Sequence, residues 1–350
     1  MKVLVTGGCG FLGSHVCEYY RNKGWEVISY DNMTKYELSR TGFALEASRD
    51  YNWSHLEKLD VKLVKEDVRD YQTLLHYAKG CDYIVHTAAQ PAMTISWENP
   101  RLDIETNLMG TFNVLEAARE YKIPVGSCAT GHVYGNDLNN QIKELNTRYT
   151  RDPAGVSEKE PTLTGVLTPL HASKGAGDIY VKTYIDTYKL EACSFRLSGI
   201  YGTRQFGGED HGWVANFAIR AITDRPLTVF GNGKQIRDII YVTDVCRAFD
   251  AFFETRASGI YNIGGGTNTA ISLIECIDLI EKLNKRKATI KYEADRHGDL
   301  RYFICDIEKA KKDLNWEPEI LPEQGVTMLM DWIKSEKDIF MEKTASEYTR

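Results

Sequence analysis

The sequence predicts an α/β protein in which a doubly wound parallel sheet is followed by a smaller C-terminal α/β lobe. Strand-like and helix-like segments alternate from residue 2 to about residue 200, and this alternation places helices on both faces of a parallel sheet. A glycine-rich turn directly follows the first strand and opens the first helix. Beyond about residue 203 the elements become shorter, which predicts the second lobe.

The first βαβ unit predicts a dinucleotide site. Strand KVLVT runs into GGCGFLG, where Gly7, Gly10 and Gly13 have the G-x-x-G-x-x-G spacing. Glycines at these places allow a tight turn, close approach of a pyrophosphate, and packing of the helix on the strand, whereas an ordinary βα turn would give Gly13 no such role. Asp31 ends the second strand, where a carboxylate accepts both hydroxyls of an adenosine ribose and disfavours a 2′-phosphate. We therefore expect a Rossmann-type sheet that binds NAD.

Bulk composition excludes several classes of protein. The 350-residue chain is 43% hydrophobic and 26% charged, and its net charge of −6 argues against nucleic-acid binding as a main role. The N-terminus MKVLVTGG lacks a signal-type apolar core, and no apolar run approaches the roughly 20 residues of a membrane span. The eight cysteines form no C-x-x-C pair. We therefore expect a reduced, cytoplasmic protein with no nucleic-acid partner, no membrane partner and no metal site.

The order of the elements predicts two domains. Residues 1–200 form the dinucleotide-binding domain, and residues 201–338 form the smaller substrate-binding lobe, with some elements interleaved. Two excursions interrupt the first domain: residues 33–57, predicted as an added helix and a loop over the cofactor, and residues 136–167, predicted as a loop beside the active site.

Three further elements are predicted from the local pattern. Residues 191–202 are predicted as a single strand, and GIYNIG is predicted as a strand of the smaller lobe. A long helix is predicted over residues 100–121, with one apolar face made of Ile104, Leu108, Phe112, Leu115 and Ala118.

Several motifs together resemble a known family. TGGCGFLGSH, the Asp31–Asn32 pair, HTAAQPAMTIS, VYG at 133–135 and the Ser173–Lys174 pair are similar to extended short-chain dehydrogenase/reductases that act on nucleotide sugars. Within that family, AAQPAMTIS, RQFGGEDHGWVANF, GNGKQIRDI and GDLR resemble CDP-tyvelose (CDP-paratose) 2-epimerases, and the resemblance covers about residues 1–335. It implies an NAD that stays bound, takes a hydride from a sugar carbon and returns it to the opposite face of the ketone.

The resemblance also implies a catalytic set, from which this chain departs. The family uses Tyr-x-x-x-Lys, whose spacing puts both side chains on one helix face, together with a Ser or Thr at a strand end. Lys174 and Thr130 match the lysine and the hydroxyl, but Leu170 stands in the place of the tyrosine and cannot move a proton. Either another group takes its role, or the chemistry differs, or activity has been lost.

Few residues are candidates to replace the tyrosine. His171 is adjacent but turned about 100° away along the helix, and His132 follows Thr130 by two residues. Tyr134 belongs to VYG, where packing is the commoner role. The remaining candidates form one ionisable cluster, Glu209, Asp210 and His211.

The resemblance carries binding roles to further positions. Besides the three glycines, Asp31 and Lys174, the expected cofactor-binding residues are Phe11, Leu12, Asn32, Asp67, Val68, His86, Ala88, Ala89, Gln90 and Asn107. Asn107 has a structural alternative, a buried hydrogen bond between helices. The expected substrate-binding residues are Gln90, Thr94, Thr130, Arg204, Gln205, Glu209, Arg237 and Arg301. The three arginines resemble those that hold the diphosphate, since a guanidinium fork suits paired phosphate oxygens, and Asp238 is expected to orient one of them.

The sequence therefore predicts an NAD-dependent nucleotide-sugar epimerase, with a nucleotide-diphosphate sugar, favoured as a CDP-sugar, as its substrate. The alternatives are a nucleotide-sugar dehydratase or decarboxylase on the same frame, and an inactive NAD- or nucleotide-sugar-binding protein. A dehydratase would need an Asp-Glu pair after Thr130, where this chain has Gly131 and His132. The resemblance further implies a homodimer formed by the helices over residues 100–121 and 169–189.

Overall fold

The computed structural model describes residues 1–41, 43, 45–296 and 298–341. The strands are β1 Lys2–Thr6, β2 Glu26–Tyr30, β3 Lys62–Val64, β4 Tyr83–His86, β5 Val125–Thr130, β6 Ile142–Glu144, β7 Tyr149–Arg151, β8 Ala192–Leu197, β9 Gly199–Tyr201, β10 Leu227–Phe230, β11 Ile236–Tyr241, β12 Gly259–Ile263, β13 Ala270–Ser272, β14 Ile290–Glu293 and β15 Tyr302–Phe303. The helices are α1 Phe11–Asn22, α2 Leu45–Lys58, α3 Tyr71–Ala78, α4 Met93–Glu98, α5 Pro100–Ile104, α6 Gly110–Tyr121, α7 Pro169–Tyr188, α8 Trp213–Ile222, α9 Val242–Thr255, α10 Leu273–Asn284, α11 Glu308–Leu314, α12 Pro322–Ser335 and α13 Lys337–Phe340.

Among the described residues, seven strands form one parallel sheet in the order β12-β8-β5-β4-β1-β2-β3. Alternate residues of β1 face opposite sides: Val3 and Val5 join one buried cluster, and Leu4 joins another. Helices cover both faces, so the predicted doubly wound sheet is confirmed. The strand order reverses between β1 and β4, and such a switch point opens a crevice at the carboxyl ends of the strands.

The smaller lobe lies over that crevice. Its apolar core joins α8, α10 and α12, with Phe217, Ile277 and Leu329 buried together. Two small sheets support it, β10 with β14 and β13-β11-β15, and β9 adds to β11. These strands bring β11 and the segment before β15 to the crevice, where the substrate-side residues were predicted.

Two predictions about strands are corrected. Residues 191–202 form two strands, because β8 stays in the large sheet while β9 leaves it after Ser198 and pairs with β11. GIYNIG is β12, which pairs in parallel with β8 at the edge of the large sheet and so does not belong to the smaller lobe's sheets. Strand pairing joins segments far apart in the chain, so the local pattern could not assign either partner.

The long helix of residues 100–121 is interrupted. A π-helical turn, Glu105–Met109, lies between α5 and α6 and shifts the phase of the helix. Before that turn the predicted apolar face is not the buried one, since Ile104 is 48% exposed whereas Asn107 is buried. After it, Leu115 and Ala118 of the predicted face are buried, as expected.

The two excursions have some structure of their own. Residues 33–57 contain a 3₁₀ turn, Tyr36–Arg40, and most of α2, as predicted for an added helix and loop. Residues 136–167 contain a 3₁₀ turn and the short antiparallel pair β6–β7 besides loop. No helix within the described ranges combines the length and apolarity needed to cross a bilayer.

Candidate active site

A cavity of about 600 Å³ occupies the crevice between the sheet and the smaller lobe. Its floor is made by the carboxyl ends of β1, β4 and β5, which contribute Gly7, Ala88 and Thr130. The smaller lobe contributes Arg237 and Arg296 to the opposite wall. Both predicted binding regions therefore open into one cavity.

The glycine turn has the shape of a pyrophosphate cradle. Gly7 has a φ of +69°, and a Cβ atom there would lie 2.6 Å from the backbone nitrogen of Ala88. Gly10 donates its N–H to the Gly7 carbonyl at 2.9 Å and precedes α1 without any side-chain cap. A Cβ atom at Gly13 would lie 2.0 Å from the Gly7 carbonyl oxygen. The turn thus leaves the N-terminal amides of α1 accessible to an anion, which fits a dinucleotide.

Asp31 is held at the end of β2 and faces the cavity. One carboxylate oxygen accepts the backbone N–H of Cys9 at 2.9 Å, and the other accepts that of Met33 at 2.7 Å. Each oxygen keeps a second lone pair, so the fixed carboxylate suits the hydroxyls of a ribose. Phe11, Leu12 and Asn32 also line this end of the cavity.

Asp67 and Val68, both expected to bind the cofactor, differ in their placement. Val68 lines the cavity. The Asp67 carboxylate accepts hydrogen bonds from Asn32 and Arg69, at 2.8 and 2.7 Å. Although burial opposes the change, these hydrogen bonds lower the pKa of Asp67 to about 2.

Two predicted cofactor residues support the cavity from behind and do not line it. His86 lies buried between the hydroxyls of Thr6 and Thr111, at 2.7 and 3.0 Å. Burial lowers the pKa of His86 to about 3, which keeps the ring neutral. Asn107 bonds both backbone groups of Gln90, at 2.9 and 3.1 Å, and also donates to the Ser173 hydroxyl on α7 at 3.2 Å, which is the buried hydrogen bond between helices expected as the alternative. Together they hold the loop after β4, whose Ala88, Ala89 and Gln90 line the cavity.

The predicted catalytic residues Thr130 and Lys174 both line the cavity. Thr130 ends β5, and its hydroxyl oxygen accepts the backbone N–H of His132 at 3.2 Å. Lys174, on α7, lines the same region, and burial lowers the pKa of its ammonium group. Leu170 lies one turn earlier in the cavity wall and is 7% exposed. The position of the missing tyrosine therefore faces the cavity and carries no ionisable group.

Two candidate replacements form a stacked pair. The rings of His132 and His171 lie 5.5 Å apart at an interplanar angle of 14°. His132 lines the cavity, whereas His171 is buried in the cap of α7, where its Nδ1 accepts the backbone N–H of Thr168 at 3.1 Å. Sequence reasoning had no signal for this pair, because the two residues are far apart in the chain.

The other candidate replacements have fixed roles. The Tyr134 hydroxyl donates to Asn262 at 2.7 Å and accepts from Arg196 at 2.9 Å, which is a packing role. Glu209 accepts from Arg220 and from Thr228, at 3.1 and 2.9 Å. The cavity is also lined by Asp210 and His211.

The mouth of the cavity carries a polar cluster that joins the two lobes. The Thr94 hydroxyl donates to the Asp210 carboxylate at 2.8 Å, and Arg40 reaches the same carboxylate at 3.5 Å while also pairing with Glu98. Arg40 comes from the excursion over residues 33–57, which the sequence predicted to cover the cofactor. The sequence did not predict a contact between this excursion and the smaller lobe.

The three predicted arginines do not come together. Arg204 lines the cavity and pairs with Glu18 at 2.7 Å, and Arg237 lines it and donates to the carbonyls of Ile236 and Leu300. Arg301 is absent from the cavity wall within the described ranges and pairs with Asp295 at 2.8 Å instead.

Arg296 lines the cavity, although the sequence did not point to it. It is stacked on Phe230 with 3.8 Å between its guanidinium carbon and the ring centroid. It lies outside the GDLR motif, so no signal pointed to it. Asp238, expected to orient an arginine, accepts instead from Ser198 and from the backbone N–H of Gly266.

The remaining predicted substrate residue, Gln205, lines the cavity while donating to the Ile200 carbonyl at 3.2 Å. Within the described ranges there is no group of three or more His, Cys, Asp or Glu side chains placed to hold a metal ion.

Comparison with known proteins agrees with this geometry. Residues 3–264 match the model of the NAD dependent epimerase/dehydratase family. The chain is 34% identical to CDP-paratose 2-epimerase of Salmonella typhi, over 96% of this chain and 100% of that protein. It is 30% identical to dTDP-glucose 4,6-dehydratase 1 of Escherichia coli K12, over 96% of this chain and 93% of that protein. UDP-glucuronic acid 4-epimerase from Bacillus cereus, solved with UDP-glucuronic acid and NAD, superposes with a TM-score of 0.79 at 26% identity, over 96% of this chain and 100% of that one.

The family model covers well over half of the chain, and the cradle, the carboxylate of Asp31 and the half-buried Lys174 fit the cofactor that the family uses. The chain therefore belongs to the NAD-dependent epimerase/dehydratase family.

Proposed function

We propose that this protein is a nucleotide-sugar epimerase that works with bound NAD, and that its reaction is closest to that of CDP-paratose 2-epimerase. One continuous cavity supports this proposal: it runs from the glycine turn past Lys174 and Thr130 to the wall that carries Arg237 and Arg296. A dinucleotide and a sugar nucleotide can share such a cavity with the sugar between them. The similarity to CDP-paratose 2-epimerase over the whole length of that protein favours a CDP-sugar.

Different residues bind the cofactor and the substrate. The glycine turn and the amides of α1 bind the pyrophosphate of NAD, Asp31 binds the adenosine ribose, and Lys174 binds the nicotinamide ribose. NAD, when bound, supplies a hydride acceptor and donor. The Thr130 hydroxyl orients a hydroxyl of the sugar, and the Lys174 ammonium stabilises negative charge that develops there. The guanidinium groups of Arg237 and Arg296 hold the diphosphate of the substrate.

A dehydratase reaction is supported less well, although a dehydratase is among the relatives. The two residues after Thr130 are Gly131 and His132, where an acidic pair would be needed. A Cβ atom at Gly131 would lie 2.3 Å from the ring of Phe303, so the ring leaves no room for an aspartate. The local packing therefore opposes the acid that a dehydratase requires.

We also propose a homodimer that forms through α5, α6 and α7. Large apolar side chains are exposed on α5, on the π-helical turn between α5 and α6, and on α7: Ile104 at 48%, Met109 at 45%, Ile179 at 52% and Tyr180 at 41%. Exposed apolar area of this kind is typical of an interface. The variant Ile179→Lys is expected to elute as a monomer in size-exclusion chromatography with light scattering, and an unchanged dimer would contradict this interface.

The cysteines support a cytoplasmic location, and the role in carbohydrate biosynthesis follows from the proposed nucleotide-sugar substrate. All eight are free thiols, and seven of them are buried. Such usage is typical of a reducing compartment.

The first experiment identifies the nucleotides released from the purified, denatured protein by mass spectrometry. NAD together with a CDP-sugar is the expected result and defines the substrate class. Turnover on a panel of CDP-, UDP- and GDP-sugars then tests the reaction, with the product sugars identified by NMR. A 4-keto-6-deoxy product would establish a dehydratase, and bound nucleotides without turnover would establish a binding protein.

A further inference from the structure

Leu170 leaves the proposed reaction without a proton acceptor at the position where the family has a tyrosine. A hydroxyl that loses a hydride from its carbon must also lose its proton, so some group in the cavity has to take it. The following inference rests on the proposed epimerase function and names that group.

His132 has the geometry for the task. It lies in the 3₁₀ turn Gly131–Tyr134 directly after β5, and its backbone N–H bonds the Thr130 hydroxyl at 3.2 Å. His132 lines the cavity and is half-buried. A sugar hydroxyl that Thr130 orients would therefore lie at the same end of β5 as His132.

The ring of His132 is held in place from behind. It stacks on His171, with 5.5 Å between the centroids and 14° between the planes. The Nδ1 atom of His171 accepts the backbone N–H of Thr168, so the proton of this neutral ring lies on Nε2. That Nε2 is buried without a hydrogen-bond partner among the described residues. His171 thus acts as a fixed support, adjacent to Leu170 on α7, and His132 is the ring that faces the cavity.

The other ionisable groups of the cavity suit the role less well. Burial raises the pKa of the Cys128 thiol to about 12. Glu209 is bonded to Arg220, and Asp210 is bonded to Thr94 and lies near Arg40. These carboxylates, and His211 beside them, come from the smaller lobe and not from β5 or α7, which carry Thr130 and Lys174.

We propose that His132 accepts the proton of the sugar hydroxyl and returns it, in place of the absent tyrosine. In the forward step the O–H bond breaks and its proton goes to a ring nitrogen of His132. The C–H bond breaks as well, and oxidised NAD, when bound, would supply the acceptor for its electron pair as a hydride, so that a carbonyl is left. In the return step His132 gives the proton back to the oxygen, while the same cofactor would supply the hydride to the other face of the carbonyl.

The charge on His132 depends on the substrate. Burial, then Arg237 on β11 and His171 on α7, lower the pKa of His132 to about 3, so the ring is neutral at pH 7 and can accept a proton. A diphosphate that binds Arg237 offsets its charge, and this raises the pKa of His132. The ring therefore becomes a stronger base when the nucleotide sugar is bound.

The test compares His132→Gln with the natural protein, both carrying NAD. We expect kcat for the nucleotide sugar to fall at least 100-fold. The NAD content, the KM for that substrate and the affinity for CDP-glucose measured by calorimetry are expected to change less than threefold. His76→Gln, on the surface-facing helix α3, is the matched control and keeps its kcat. The double variant Leu170→Tyr/His132→Gln is expected to have a kcat at least tenfold above that of His132→Gln, because residues 170 and 174 then have the i, i+4 relation of Tyr and Lys.

Two results separate a failure of this inference from a failure of the proposed function. If His132→Gln keeps its kcat within threefold, the natural protein is an epimerase and His132 is not its acceptor. If the natural protein is inert but Leu170→Tyr turns over a nucleotide sugar, both the acceptor role of His132 and the proposed function of the natural chain are wrong.

A second readout does not depend on turnover. The titration of the His132 ring, followed by NMR on protein with labelled histidines, is expected to move to higher pH when CDP-glucose is added. An unchanged His132 midpoint would overturn the proposal, because a ring whose pKa stays near 3 is too weak a base to take a sugar hydroxyl proton.

Discussion

The substitution Gly13→Ala tests whether the glycine turn requires its third glycine for packing. The added Cβ would lie 2.0 Å from the carbonyl oxygen of Gly7 and 2.7 Å from its carbon, whereas real Cβ contacts stay beyond 3.0 Å. Helix α1 would therefore have to move by about 1 Å away from the turn. Both nearest atoms are backbone, so no side-chain rotation relieves the contact.

The expected cost follows from this overlap. Overpacking of a close-packed site costs about 1–3 kcal/mol, and contact with rigid backbone places Gly13→Ala near the upper end. Alanine regains up to about 1 kcal/mol of helix propensity over glycine. We expect the free energy of unfolding to fall by about 2 kcal/mol, and the Kd for NAD to rise at least tenfold, because the shifted amides no longer fit the pyrophosphate.

The assay measures the free energy of unfolding of the NAD-free proteins in urea, followed by tryptophan fluorescence. Calorimetry measures the affinity of the same proteins for NAD. Gly177→Ala, inside helix α7, is the control. Its Cβ would lie 3.5 Å from the nearest atom, the hydroxyl oxygen of Thr111. It is expected to stabilise the protein by about 0.5–1 kcal/mol. A Gly13→Ala protein as stable as the natural one and with unchanged NAD affinity would refute the packing argument.

Three further predictions follow from single contacts. Asp31→Asn places an NH₂ group against one of the two backbone donors that the carboxylate accepts, so NAD affinity should fall at least tenfold and the preference for NADH over NADPH should shrink, as measured by fluorescence titration. His86 has its pKa lowered to about 3, so between about pH 6.5 and pH 3 the unfolded chain binds more protons and stability is lost as the pH falls, by about 1.4 kcal/mol per pH unit. His86→Asn should flatten the dependence of unfolding free energy on pH by that slope in urea titrations between pH 4 and 6, and an identical slope would contradict the burial of a neutral ring. Gly131→Asp should lower the melting temperature in calorimetry because its Cβ meets the ring of Phe303 at 2.3 Å. Adding Phe303→Ala to Gly131→Asp should restore part of that loss. Equal melting temperatures for Gly131→Asp and the natural protein would show that the ring moves aside freely.

Much of the site could be predicted because it is local in sequence. The cradle and its carboxylate lie within one βαβ unit, where glycine spacing and chain direction decide the geometry, and they fall where the pattern placed them. Leu170 and Lys174 are one helical turn apart, so their common face followed from the periodicity alone. The absence of the tyrosine was therefore visible in the sequence, and the structure adds that its position faces the cavity.

Other features depend on contacts between distant segments. Arg301 turns to Asp295 while Arg296 stacks on Phe230, because side chains in an irregular segment follow the partners that tertiary packing supplies. The π-helical turn moved the buried face of the long helix by changing its phase, which a regular period of 3.6 residues cannot anticipate.

The sequence by itself determined the fold class, the cofactor cradle and the loss of the usual proton acceptor, because each of these is encoded by residues a few positions apart. Only the tertiary structure decided which strands pair, which arginines reach the cavity, and that His132 stacks on His171. The physical reason is that pairing and stacking join segments whose separation along the chain carries no local signal, so they are specified only when the whole core packs.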